Sequence, residues 1–130
     1  LSRNPNGFFL MIEGSNIDKA AHSNNLEEMM EELLDFDRTA GAVLDWASKH
    51  PGTLVVITAN QNTGAFAPTG GSREQGEITG RFGSGSHDGV AVPVYAFGAG
   101  SGDFTGIYEN TDIFNKIMNA LKKGADKPVR

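Results

Sequence analysis

Three short segments of this chain are apolar on both faces, and they constrain its fold more than any other feature. Residues 8–12, 53–59 and 92–97 are almost continuously hydrophobic. Such runs are typical of strands buried on both faces rather than of strands with one face in water. Pro93 has no backbone N–H, so we place it at the start of its strand or at a sheet edge. The segments predict a sheet that is covered on both sides.

A long helix is predicted between the first two strands, over residues 25–49. Apolar residues recur there at helical spacing, and Glu27 and Glu28 in the first turn suit the helix dipole. Pro51 follows its end, and a second helix is predicted over 112–123. A strand, a helix and a second buried strand predict a parallel βαβ unit with a right-handed crossover. The predicted fold class is therefore α/β.

Three strands and two helices are too few to cover both faces of such a sheet. We therefore expect an incomplete sheet in a single partial domain over residues 1–130, with an N-terminal part missing or supplied separately. Another chain, or a second copy of this one, is expected to cover the apolar sheet. The chain does not begin with Met, which fits a processed or excised piece. Eight glycines fall between Gly64 and Gly89, and predict a functional loop region there.

Composition narrows the function classes. Hydrophobic residues make up 38% of the chain, which is enough for a packed core. The net charge of -5 argues against nucleic-acid binding, which normally needs a basic surface. No apolar run approaches the length of a membrane span. The absence of cysteine excludes disulfides and thiolate metal sites.

The spacing of Asp18 and His22 allows two interpretations. The two residues are four apart, so on a short helix they share one face and can grip one zinc ion. Alternatively, Ser15 caps the helix, Asp18 completes a capping box with it, and His22 is solvated. Spacing by itself favours the second interpretation, because such helical pairs arise easily.

Three further residues carry weaker signals. His87 lies before a predicted strand, where α/β sites form, but a lone surface histidine would give the same pattern. His50 is interpreted as a cation at a helix C-terminus rather than as a metal ligand. Asp37 falls within the apolar stripe of the long helix, so it either orients a metal ligand from behind or turns outward at a helix break.

The chain resembles the alkaline phosphatase family over nearly its whole length. Residues 8–22 read FFLMIEGSNIDKAAH and are similar, almost letter for letter, to the family signature GFFLMVEGSNIDKAAH. Further segments follow in the family's order: LDFDR at 34–38, TLVVITA at 53–59, SHDG at 86–89, PVYAFG at 93–98 and FTGIY at 104–108.

The resemblance implies part of a three-layer α/β/α sandwich and a metal-dependent hydrolysis of phosphate monoesters. It implies that Glu13 is a magnesium ligand and that Asp18, His22 and His87 hold one catalytic zinc. The family adds a second zinc, a serine nucleophile and an arginine that grips phosphate, and it works through a phosphoserine intermediate. It also implies a periplasmic or extracellular location.

This sequence departs from the family at the second zinc. The family strand ends in Thr-Ala-Asp-His-Glu-Thr-Gly-Gly, whereas here the Asp-His pair is replaced by Asn60 and Gln61. Neutral amides are poor zinc ligands. No serine follows an aspartate in this chain, and no arginine matches the phosphate-gripping one. We expect a chain that is inactive alone and is completed by an N-terminal segment, or else a non-catalytic module with one zinc site.

Overall fold

The computed structural model describes residues 1–125, and its elements follow a mixed α/β order. The three helices are α1 (Ser15–His22), α2 (Leu26–Ser48) and α3 (Asp112–Ala125), and a 3-10 helix spans Ser101–Phe104. The six strands are β1 (Leu54–Thr58), β2 (Asn62–Thr63), β3 (Ala67–Ser72), β4 (Glu77–Arg81), β5 (His87–Asp88) and β6 (Val94–Gly98). Both predicted helices and two of the three predicted strands are confirmed. None of the helices described has the length and apolar character that a bilayer span requires.

The strands form three two-stranded sheets, β1–β6, β2–β5 and β3–β4. The chain divides into two compact units. The first unit contains Leu1–Glu13, Ala42–Ile57 and the chain from Val94 onward, and the second contains Gly14–Gly41 and Thr58–Pro93. All the residues of the β2–β5 and β3–β4 sheets lie in the second unit.

Residues 8–12 do not form a strand, contrary to the prediction. The segment belongs to none of the three sheets, and Phe9 and Met11 are 63% and 76% exposed. Backbone N–H and C=O groups make a strand only when a neighbouring strand pairs with them. Within residues 1–125 this segment has no such neighbour. The predicted parallel pairing with 53–59 is therefore not formed.

The first unit is organised around β1 and β6. The amide of Ala99 donates to the carbonyl of Thr53 at 3.0 Å, just beyond the paired strands. At the end of α2, the His50 ring lies 3.9 Å from the Trp46 ring, centroid to centroid, and its Nδ1 is 2.7 Å from the Trp46 carbonyl oxygen. His50 therefore binds the carboxyl end of a helix, as predicted, and is not part of a metal cluster in the described structure.

The second unit packs α1 and α2 around a small core. The fully buried members are small or flexible, and aromatic rings close the cluster from one side. Phe66 and Phe82 lie 4.9 Å apart, centroid to centroid. The cluster consists of Ala20, Ala21 and Met29, with Ile17, Leu26, Phe66 and Phe82 packed against it.

Helix α1 begins without the predicted side-chain cap. Gly14 occupies the N-cap position, and Ser15 is already the first helical residue. A Cβ atom at Gly14 would lie 2.9 Å from Cδ2 of Phe36, so packing selects glycine at this position. The capping-box interpretation of Ser15 and Asp18 is therefore wrong, and the Asp18 carboxylate is left for other partners.

The glycine-rich region 64–89, predicted as a loop region, contains a β-hairpin. Strands β3 and β4 pair antiparallel from Ala67 opposite Arg81 to Ser72 opposite Glu77, with an irregularity between Pro68 and Gly70. Glycine and proline are unfavourable inside strands, and they concealed this hairpin in the sequence. Its two ends return the chain to the neighbourhood of β2 and β5.

Substitutions at Gly64 and Ala65, adjacent residues in the loop after β2, are expected to change the free energy of unfolding in opposite directions. Both have positive φ, +80° and +46°. A Cβ at Gly64 would lie 3.0 Å from the Ala21 carbonyl oxygen and 2.9 Å from the Phe82 ring. We expect Gly64→Ala to lower the free energy of unfolding by about 1–3 kcal/mol. Ala65→Gly should raise it by a few tenths to about 1 kcal/mol, because relief of left-handed strain exceeds the entropy of the added glycine.

Chemical denaturation of both variants measures these changes. Gly76→Ala is the control, since Gly76 has φ of +68° but a Cβ added there would meet nothing within 4 Å. The loss in free energy of unfolding for Gly76→Ala therefore measures backbone strain in the absence of steric crowding. Equal losses for Gly64→Ala and Gly76→Ala would contradict the packing argument.

Candidate metal centre

Asp18, His22 and His87 converge in the second unit. Each offers one ligand atom, and these atoms all lie within 4.8 Å of one another. Nε2 of His22 is 3.1 Å from Nε2 of His87. The Asp18 carboxylate oxygens are 3.5 Å from Nε2 of His22 and 3.4 Å from Nε2 of His87. The structure therefore brings together the three residues that the resemblance assigned to one zinc ion.

Helix α1 holds the first two of these residues on one face. Asp18 and His22 are one helical turn apart, as their spacing predicted. The other ring nitrogen of His22, Nδ1, is 2.8 Å from the carbonyl oxygen of Gly85. A carbonyl can only accept, so Nδ1 carries the hydrogen and the Nε2 lone pair points at the cluster. The backbone at Gly85 thus sets the tautomer that a metal ligand needs.

The short β2–β5 sheet places His87. In this antiparallel pair Thr63 lies opposite His87 and Asn62 lies opposite Asp88. The Asn62 side-chain amide donates to both carboxylate oxygens of Asp88, at 2.9 and 3.2 Å. A two-residue ladder is weak alone. The side-chain pair reinforces it and keeps His87 beside α1.

A hydrogen bond from Thr63 stabilises the ionised form of Asp18. The Thr63 hydroxyl donates to Oδ1 of Asp18 at 2.6 Å. This bond is the main reason that the pKa of Asp18 lies below its usual value, and the Gln61 amide and the two nearby imidazoles act in the same direction. Partial burial opposes them without reversing the shift. Asp18 is therefore a carboxylate, the form that binds a cation.

Removing the Thr63 hydroxyl should raise the pKa of Asp18 toward the ordinary value. Because the folded state lowers this pKa, Asp18 contributes stability above the ordinary carboxyl pKa and loses it as pH falls through the lowered one. Thr63→Val keeps the side-chain shape and deletes the donor. We expect an upward shift in an NMR titration of the Asp18 carboxyl carbon in metal-free protein. Thr105→Val, whose hydroxyl donates to the Gly102 carbonyl, is the control and should leave this titration unchanged.

The spacing of the three ligand atoms fits zinc. Ligands about 2.0–2.2 Å from a tetrahedral zinc lie roughly 3.3–3.6 Å from one another. The two imidazole Nε2 atoms lie 3.1 Å apart, Oδ1 of Asp18 is 3.4 Å from His87, and its other oxygen, Oδ2, is 3.5 Å from His22. Three single ligand atoms, one from each residue, lie within 4.8 Å of one another, so small side-chain rotations bring them to zinc. Two imidazoles and a carboxylate are also a ligand set that zinc accepts. Each side chain is between about one-third and one-half exposed, so an ion can enter from solvent.

The other predicted site residues lie outside this cluster. Glu13 is exposed and belongs to the first unit, and one carboxylate does not by itself define an octahedral magnesium site. Asp37 is exposed, but α2 runs unbroken through it, so the expected helix break is not formed. Asn60 is exposed as well. The magnesium ligand assigned to Glu13 and the supporting role assigned to Asp37 stay predictions.

Gln61 occupies a place that the sequence did not predict. Its side-chain Nε2 is 3.3 Å from Nε2 of His87, so it lies beside the cluster of Asp18, His22 and His87. Sequence reasoning assigned Gln61 only to a degraded second zinc site, and it missed Thr63 and the Gly85 carbonyl. Their only sequence signal is that they flank the amides and His87 in segments at strand ends, where α/β sites form.

Comparison with known proteins identifies the family. The alkaline phosphatase family matches residues 1–80. Alkaline phosphatase 4 of Bacillus subtilis is 28% identical over 95% of this chain and 41% of its own length. Streptomycin-6-phosphate phosphatase of Streptomyces griseus is 34% identical over 88% of this chain and 29% of its own length. This chain therefore spans well under half the length of these curated relatives.

Solved structures agree with the sequence comparison. The alkaline phosphatase from the Antarctic bacterium TAB5 superposes with a TM-score of 0.85 at 38% identity, covering 94% of this chain and 37% of that one. A mutant of the same enzyme, with Mg bound in its M3 site, gives a TM-score of 0.84. The expected α/β fold, present here in part, is confirmed. The chain belongs to the alkaline phosphatase family.

Proposed function

We propose that this chain supplies the zinc-binding part of a phosphate monoester hydrolase and is inactive alone. The observation that carries the proposal is the convergence of Asp18, His22 and His87, whose ligand atoms lie within 4.8 Å of one another. Family membership supports the reaction class. Zinc in such a site polarises a phosphoryl oxygen or activates water.

The residues of this chain have positioning roles in this proposal. Asp18 supplies negative charge, and His22 and His87 supply neutral nitrogen ligands on two separate elements. Thr63 donates a hydrogen bond that stabilises the Asp18 carboxylate, and the Gly85 carbonyl orients His22. Glu13 is proposed to join a magnesium site completed by residues outside this chain.

The serine nucleophile and the phosphate-binding arginine are proposed to come from another polypeptide segment of the same family. Exposed apolar side chains over residues 8–12 support this, because a lone hydrophobic segment is stabilised by a strand partner. A periplasmic or extracellular location accompanies the proposal. Turnover of a chromogenic phosphate monoester, with and without a family N-terminal segment, tests it.

A non-catalytic metal-binding module is the second candidate function. Asn60 and Gln61 favour it, since neither side chain replaces the negative charge or the imidazole of a second zinc site. Turnover of a phosphate monoester distinguishes the hydrolase from the non-catalytic module. Only the hydrolase gains activity when the missing segment and the lost ligands are restored together.

A further inference from the structure

The Gln61 side chain lies at the open side of the candidate metal centre. Its amide nitrogen is 3.3 Å from Nε2 of His87, and the amide contributes to lowering the pKa of Asp18. Gln61 is partly buried, unlike the exposed Asn60 beside it. The two neighbouring amides therefore have different surroundings, and only Gln61 belongs to the cluster.

The distance from Gln61 to His87 equals a ligand–ligand distance. A tetrahedral zinc spaces its ligands by roughly 3.3–3.6 Å. The two imidazole Nε2 atoms are 3.1 Å apart, and the amide nitrogen of Gln61 is 3.3 Å from Nε2 of His87. The Gln61 amide is therefore close enough to His87 to bind the same ion.

The orientation of the amide depends on whether a cation is present. Without metal, an N–H toward the anionic Asp18 carboxylate is the favourable arrangement, because a carboxylate only accepts hydrogen bonds. A bound cation would repel that N–H and attract the amide oxygen. A half-turn about the last side-chain bond exchanges the two atoms with almost no change of shape.

We propose that Gln61 turns its amide oxygen to the metal and serves as its fourth ligand, closing the position that water or phosphate would otherwise take. This inference rests on the proposed metal centre. Closed four-ligand zinc sites are structural, whereas catalytic ones keep an open position. Gln61 would then have two consequences. It leaves the family's second zinc site without its histidine ligand, and it occupies the open position of the centre formed by Asp18, His22 and His87.

The chain has only two glutamines, Gln61 and Gln75, which makes the experiment direct. Selective 15N labelling of glutamine gives two side-chain NH2 groups, and Zn2+ is titrated into the full chain. We expect the Gln61 signals to shift with the first equivalent and the exposed Gln75 signals to stay fixed. Gln61→Ala should weaken zinc binding about tenfold, less than the loss of an imidazole, because a neutral amide is a weak zinc ligand. Gln75→Ala should leave it unchanged.

Two further measurements distinguish a Gln61 that binds the metal from one that only positions a neighbouring ligand. Gln61→Glu keeps the shape and adds an anionic ligand, so it should tighten zinc binding, a gain that misfolding cannot produce. Zinc-loaded Gln61→Ala should bind inorganic phosphate more tightly than the zinc-loaded wild type, because its fourth position is open.

Unchanged zinc affinity in Gln61→Ala, or equal phosphate binding by the two loaded proteins, would overturn the role of Gln61 while leaving the metal centre intact. A wild-type chain that binds no zinc would overturn both the inference and the metal centre.

Discussion

One zinc ion per chain is expected, and either His22→Ala or His87→Ala should abolish tight binding. Each substitution removes one of two imidazoles whose Nε2 atoms lie 3.1 Å apart. Structural zinc sites contribute about 10–16 kcal/mol in total, so one of four ligands corresponds to about 3 kcal/mol, or roughly a hundredfold in affinity. Elemental analysis after dialysis gives the stoichiometry, and competition with a chromogenic chelator gives the affinity.

His50→Ala is the matched control for the two histidine ligands. His50 is the third histidine of the chain, and it binds the Trp46 carbonyl rather than the cluster. Its loss should leave zinc affinity unchanged. Two tightly bound zinc ions per chain, or wild-type affinity in His87→Ala, would contradict the single-site assignment.

Zinc should also raise the stability of the second unit, because the three ligands come from α1 and β5 and are held together only in the folded state. An excess of free zinc 100-fold above the dissociation constant adds about 2.7 kcal/mol. The thermal midpoint should rise accordingly and return after chelation. In His87→Ala the rise should disappear, whereas in His50→Ala it should persist.

The second large effect concerns catalysis. This chain alone should show no measurable hydrolysis of a chromogenic phosphate monoester. Adding an N-terminal segment of the family, which the resemblance implies carries the serine and the arginine, does not restore the second metal site, so activity should stay low. Asn60→Asp with Gln61→His restores an anionic oxygen and an imidazole together. The doubly changed chain with that segment should gain at least about a hundredfold, because groups that act as a unit fail and recover together.

Four samples separate the causes: the chain alone, the chain with the segment, the double variant alone, and the double variant with the segment. Only the last should be active. A double variant at two exposed positions, Gln75→His with Glu74→Asp, controls for the added histidine. Equal activity of the unchanged and repaired chains, each with the segment, would show that Asn60 and Gln61 do not impair the site.

Helices were the most predictable part of the fold. The apolar repeat predicted a helix over 25–49, and α2 spans Leu26–Ser48. Helical hydrogen bonds are local, so the periodicity of one segment carries most of the information. The strand predicted over residues 8–12 did not form, because a strand needs a neighbouring strand from elsewhere in the chain or from another chain.

The sequence by itself determined the family, the α/β class and three candidate ligand residues. The SHDG segment of the family resemblance supplied His87, which spacing could not link to Asp18 and His22. Whether a side chain can bind a metal depends on its chemical type, which the sequence gives directly. A matching family pattern then indicates which of those side chains to consider together.

Only the tertiary structure decided how those residues are oriented and what surrounds them. The Gly85 carbonyl sets the tautomer of His22, the Thr63 hydroxyl donates to the Asp18 carboxylate, and the Gln61 amide lies beside His87. These contacts join residues 26 to 63 positions apart in the chain. Contacts at such separations leave no local period in the sequence, and they are fixed by the packing of α1 against β2 and the pairing of β2 with β5.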